Sequence, residues 1–204
     1  ETPAVVWLIQ TLMAAGDGEI TLIPLGPMTN IAYALRIEPR IASKIGEIVY
    51  MGGGYKIGNE TASAEFNVWV DPESLEVVLQ SGCKVTLVPL DATHECYLTV
   101  EDAADLRALG NKAADAVATL IEQRTKGYSM DADMKAYQGA PIHDALAVCA
   151  LLDPAVLTDV RPVCCHVDIS GGYADGQTCL DLRARIDKEE PNCFFAFHAD
   201  RDKF

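Results

Sequence analysis

Three stretches of this 204-residue sequence carry residue types that could act on a small polar ligand. The richest is MGGGYKIGNETASAEFN, residues 51–67, in which Asn59, Glu65 and Asn67 lie in a glycine-containing run. Two amides and a carboxylate supply both donors and acceptors, which is what a ligand with several hydroxyls requires. A polar surface loop that bonds its own backbone would carry the same residue types. The second stretch is His143-Asp144, following Gly139-Ala140-Pro141. An imidazole titrates near neutral pH and can move a proton. A structural histidine beside an aspartate that caps a helix would look the same. The third comprises Leu25-Gly26-Pro27-Met28-Thr29-Asn30 and Asp91 to His94, where His94 either faces a site or ends a strand. Gly52-Gly53-Gly54 lacks the Gly-Lys-Ser/Thr ending of a phosphate loop and the spacing of a dinucleotide fingerprint, so neither is expected.

These stretches need a scaffold, and alternating apolar patterns supply one. Ala4–Ala15 reads as an amphipathic helix. The near-continuous apolar runs Ile20–Leu25, Ile45–Met51 and Lys84–Leu90 read as strands buried on both faces. Between them, helices start near Thr29 and at Asp71-Pro72, where Asp serves as N-cap and Pro as first helical residue. Thr99 with Asp102 resembles a capping box before one long helix through Leu106, Ala113, Val117 and Ile121, closed by Gly127. A further helix spans Ala145–Leu152, and short strands follow from Pro162 to Phe197. The pattern predicts an α/β fold with a mostly parallel sheet flanked by helices, in one domain over residues 1–204. In such sheets ligands sit beyond the carboxyl ends of the strands, which is where Leu25–Asn30, Met51–Asn67 and Asp91–His94 fall.

Composition narrows the partners. A net charge of -14 disfavours nucleic acid, because phosphate backbones need a basic surface. No apolar run is long enough to span a bilayer. Seven cysteines, with Cys164 and Cys165 adjacent and no CxxC pair, read as small buried hydrophobes in a reducing cytoplasmic setting. His166 and His198 have no neighbouring ligand pattern and read as structural.

Taken in order, ITLIPLGPMTNIAYALRIEPRI, EIVYMGGGYKIGN, AEFNVWVDPESLEVV, KVTLVPLDATH and PIHDALAVCALLDPAV resemble the inosine-uridine nucleoside hydrolase family. DISGGYADGQTCLDLRAR and HADRDKF resemble its closing segments more loosely. The resemblance implies a Ca2+-dependent hydrolase that cuts the N-glycosidic bond of a small-molecule nucleoside through an oxocarbenium-like state. It implies that the Leu25 carbonyl and the Asp144 carboxylate serve the metal. Asn59 and Glu65 would contact the 5′-hydroxyl side of the ribose, Asn67 a ribose hydroxyl near the ion, and Met51 the sugar. His143 would protonate or orient the leaving base, with Tyr128 and Tyr137 as candidate aromatic partners. The resemblance also implies nucleoside salvage and assembly as a homo-oligomer.

One departure bears on activity. Family members begin with an acidic loop of the form DxDxGxDD that supplies most calcium carboxylates and the catalytic base. No such sequence occurs here; the nearest, Met130-Asp131-Ala132-Asp133, is out of place. The expectation is a domain incomplete at its amino terminus and impaired alone, with another chain supplying the missing segment. The alternative is a catalytically inactive nucleoside- or ribose-binding module, or a structural remnant.

Overall fold

The computed structural model describes residues 2–128, 135 and 139–204. Tyr137 and the Met130–Asp133 stretch therefore lie outside the described residues.

A six-stranded sheet organises the chain. In sequence order the elements are α1 (Ala4–Ala14), β1 (Ile20–Leu22), α2 (Thr29–Ile37), β2 (Ile45–Met51), α3 (Phe66–Trp69), α4 (Pro72–Leu79), β3 (Val85–Val88) and α5 (Leu90–Thr93). There follow β4 (Tyr97–Thr99), α6 (Val100–Ala108), α7 (Lys112–Gly127), β5 (Gly139–Pro141), α8 (His143–Leu152), β6 (Leu157–Val167), β7 (Thr178–Asp181) and β8 (Cys193–Ala199). The strand order is β1-β2-β3-β8-β6-β7. The first three pairings are parallel and the last two antiparallel, so the mostly parallel α/β reading holds with a strand-rich end.

Alternation along the strands splits the core in two. Ile48 and Tyr50 of β2 and Val85 and Leu87 of β3 point to a cluster with Leu12, Leu35, Leu75 and Val78 of α1, α2 and α4. Val49 and Met51 point the other way, onto Leu146, Ala147 and Ala150 of α8. Both faces are covered by helices, and for that reason these strands read as continuous apolar runs.

The predicted helix starts have the expected chemistry. Asp71 accepts from the Ser74 amide at 3.1 Å, and its other carboxylate oxygen takes the Thr29 hydroxyl. Thr99 and Asp102 form a reciprocal capping box. The single long helix expected after Thr99 is two. Gly110 adopts φ +68° and turns the chain, and Asn111 caps α7 by accepting from the Ala114 amide. Apolar periodicity on both sides of the break hides it in the sequence. β4 and β5 form a separate antiparallel pair that the sequence reading missed, being only three residues each. The first strand ends at Leu22 rather than Leu25, and the third at Val88, ahead of Pro89.

Gly110 offers a clean test, since a methyl group there would meet nothing within 4 Å. Gly110→Ala is expected to lose about 1–2 kcal/mol in chemical denaturation, from left-handed backbone alone.

Candidate active site

The carboxyl ends of β2 and β3 and the chain beyond β1 open into a cavity of about 790 Å³. Leu25, Met51, Asn59, Glu65, Asn67, His143 and Asp144 all line it. These are the seven residues that the family resemblance singled out, and they come from three separate parts of the chain. Glu60, Phe66, His94, Arg124 and Tyr128 complete much of the wall.

The loop after β2 is built around one carboxylate. Glu65 is only 3% exposed. Its Oε1 accepts from the Asn67 amide at 2.9 Å, and its Oε2 from the Gly53 amide at 3.0 Å and the Val68 amide at 3.3 Å. It therefore caps the short helix α3 and ties that helix to the glycine turn. Burial pushes its pKa up, and the three amides pull it back in part. Gly53 adopts φ +82°, which favours glycine there. Its neighbour Gly54 is clamped by Thr178 of β7, whose hydroxyl accepts from the Gly54 amide at 3.0 Å and donates to its carbonyl at 2.7 Å.

Asn67 is fixed by a bond from Nδ2 to the Met51 carbonyl at 3.0 Å. That bond joins α3 to the end of β2 and leaves Oδ1 for the cavity. Asn59 spends Oδ1 on the Phe66 amide at 2.9 Å, leaving its Nδ2 as a donor. Asp91 holds the loop from below, accepting from the amides of Tyr55 and Lys56. Part of the polar content of residues 51–67 thus serves its own backbone, and part is left facing the cavity.

His143 and Asp144 open α8, as its first two residues. Asp144 is not the N-cap: Ile142 holds that position and provides no side-chain bond. Among the described residues Asp144 makes no hydrogen bond or ion pair. Burial raises its pKa, against a smaller opposing effect of the Arg124 charge. His143 is bonded at both ring nitrogens, Nδ1 to the Thr93 hydroxyl at 2.7 Å and Nε2 to the Tyr128 hydroxyl at 3.1 Å. His94 lies beside it with ring centroids 5.5 Å apart, so it faces the site. Arg124 sits 5.6 Å from the centre of the Tyr128 ring. Burial, His94 and Arg124 together hold the His143 imidazole down at about 3. Arg124 was not visible as a site residue in the sequence, and in the Asp91–His94 stretch His94 was weighed while Thr93 was not. Arg124 belongs to an amphipathic helix whose charged face offered no distinguishing signal.

The oxygens that remain are hard donors: the Leu25 carbonyl, Asn67 Oδ1 and the Asp144 carboxylate. As a donor type they suit a hard cation, but they are fewer than the roughly six to eight oxygens calcium takes.

Comparison with known proteins places this arrangement. The family model described as inosine-uridine preferring nucleoside hydrolase matches residues 1–204. An inosine-uridine preferring nucleoside hydrolase of Leishmania major is 38% identical over 204 residues, which is 98% of this chain and 62% of that protein. A pyrimidine-specific ribonucleoside hydrolase, RihA, of Shigella boydii is 37% identical over 201 residues, covering 98% of this chain and 63% of its own. The solved structure of a purine-preferring ribonucleoside hydrolase from Gardnerella vaginalis superposes with a TM-score of 0.87 at 32% identity, over 100% of this chain and 63% of the other. The chain thus spans a little under two thirds of the length of these relatives.

Two outcomes follow from the geometry. Glu65→Ala strips three amides of their acceptor and is expected to cost about 1–3 kcal/mol by denaturant titration, with Glu65→Gln losing less. In nuclear magnetic resonance spectra the His143 ring is expected to show no protonation between about pH 5 and 8. Because its folded pKa is depressed, its contribution to stability is full above the unfolded value of 6.5 and is lost as pH falls toward about 3.

Proposed function

The chain belongs to the inosine-uridine preferring nucleoside hydrolase family, and from that premise we propose that its cavity holds a ribonucleoside and is where water cuts the N-glycosidic bond. The observation that carries this reading is the convergence of Asn59, Glu65, Asn67, His143 and Asp144 on one cavity. Its volume falls within the range usual for small-molecule sites.

The residues divide by chemistry. Asn59 Nδ2 faces one side of the sugar, and Asn67 Oδ1 and Asp144 accept from its hydroxyls on the other. Met51 gives the sugar an apolar wall. His143, held between Thr93 and Tyr128 as a neutral imidazole, orients the leaving base. Water adds to the anomeric carbon, and the base departs with the glycosidic electron pair and takes up the proton that the water gives up.

Leu25, Asn67 and Asp144 would hold a calcium ion. Such an ion supplies positive charge that orients ribose hydroxyls and attacking water and eases loss of the water's proton. These donors complete only part of a calcium shell. The 204 residues alone are therefore expected to hydrolyse nucleosides slowly, with a further segment or a second chain, as in a homo-oligomer, supplying the rest. The short donor set also favours the second reading, a nucleoside- or ribose-binding module without turnover, for this chain on its own. Seven cysteines without disulfides accord with a reducing cytoplasmic setting, and the family membership with a role in nucleoside salvage. No helix among the described residues is long and apolar enough to cross a membrane.

The test combines binding and turnover. Inosine and uridine are each titrated into the chain with calcium, and release of free base is followed. Binding is expected, with Asn67→Ala weakening it about 10- to 100-fold, and turnover is expected to be slow. Absence of nucleoside binding overturns the assignment. Brisk turnover would instead overturn the donor count while leaving the assignment standing.

A further inference from the structure

Beyond the cavity, β6 carries Cys164 and His166 two residues apart, so both project from one face of the strand. The loop after β7 brings Glu189 back to them. Its Oε2 lies 2.9 Å from His166 Nε2 and 3.5 Å from Cys164 Sγ. The sulfur, the ring nitrogen and the carboxylate oxygen all lie within 4.8 Å of one another. Among the described residues this is the one group of three such side chains so placed.

We propose that Cys164, His166 and Glu189 form a zinc-binding site, separate from the nucleoside cavity. Zinc takes thiolate, imidazole and carboxylate at about 2.0–2.3 Å in tetrahedral geometry, which puts ligand atoms roughly 3.3–3.8 Å apart. The observed spacing needs only small side-chain adjustments to reach that. Calcium is a poor match, because two of the three donors are soft or borderline.

A second observation points the same way. Nδ1 of His166 is 3.0 Å from Glu76 Oε1, while Glu76 Oε2 accepts from the Val167 amide at 2.8 Å. A carboxylate anchored to the backbone thus takes the Nδ1 proton and fixes the ring with Nε2 toward Glu189 and Cys164, where zinc would replace the proton that Nε2 now donates to Glu189. Histidines that bind metals are oriented in this way. The other charged groups facing the cluster are consistent with a cation. Asp181 lies opposite Cys164 across the ladder, Arg183 is occupied by both Asp181 oxygens and Arg185 by Asp187, while Lys188 is the further cation near Asp181. Cys164 is buried, while the Glu189 side chain is 74% exposed, so an ion could enter from solvent and keep water in a fourth position. The sequence does not reveal this set, because the third ligand is 23 residues beyond His166.

The test uses the purified chain, freed of metal and titrated with zinc alone against a chromophoric chelator. One equivalent is expected to bind. Cys164→Ser and His166→Asn should each weaken it at least about 100-fold, and Glu76→Gln about 10- to 100-fold. Excess calcium should not displace the zinc. Failure of the unaltered chain to bind zinc overturns the site, as does unchanged affinity in the Cys164→Ser/His166→Asn double variant. If the variants do not fold, cobalt in the unaltered chain decides. A thiolate-to-cobalt charge-transfer band with a tetrahedral spectrum supports the site, and a weak octahedral spectrum without that band overturns it.

Discussion

A single buried carboxylate sets the shape of the cavity. Withdrawing a charge from water is costly unless hydrogen bonds replace the solvent. Glu65 meets that condition with three backbone amides from two parts of the loop. In doing so it fixes how the chain leaves β2 and how it enters α3. Asn67 follows from this, since α3 carries it onto the Met51 carbonyl. Without the carboxylate the glycine turn has no fixed partner on this side, and the amide of Asn67 has no reason to face inward.

The opposite wall rests on a different arrangement. α8 presents His143 and Asp144 in its first turn, where an acidic residue also gains from the helix dipole. The imidazole is locked by two hydroxyls, Thr93 and Tyr128, whereas the carboxylate has no partner among the described residues. One group is saturated and the other open, which suits a wall that must both orient a ligand and attract something positive.

Much of this was legible in the sequence, for physical reasons. β2 was predicted with its observed ends because both its faces are buried and glycines follow it at once. Asp71-Pro72 and the Thr99/Asp102 box were visible because capping relies on a few residue types at fixed spacing. Leu25, Met51, Asn59, Glu65, Asn67, His143 and Asp144 were singled out through the family resemblance, since residue types alone fit a self-bonded loop or a capped helix equally well, and the fold brings them to one cavity. The misses share a cause. The break at Gly110 interrupts a helix whose apolar spacing continues on either side, and a three-residue pair such as β4–β5 is too short for alternation to show. Thr93 and Arg124 gain their roles only from what packs against them. The internal bonds of Glu65 were likewise invisible, since a loop carboxylate looks the same whether it faces ligand or backbone.

Thr178 gives the cavity an unexpected dependence on time. Its hydroxyl fastens both sides of the Gly54 peptide across 124 residues of intervening chain. Closing so long a loop carries an entropic cost that early, local contacts avoid. On a chain made from its amino end, the glycine turn must wait for residue 178 before it is clamped. The loop beside the cavity is therefore fastened only after residue 178 has emerged, although most of its residues are made long before.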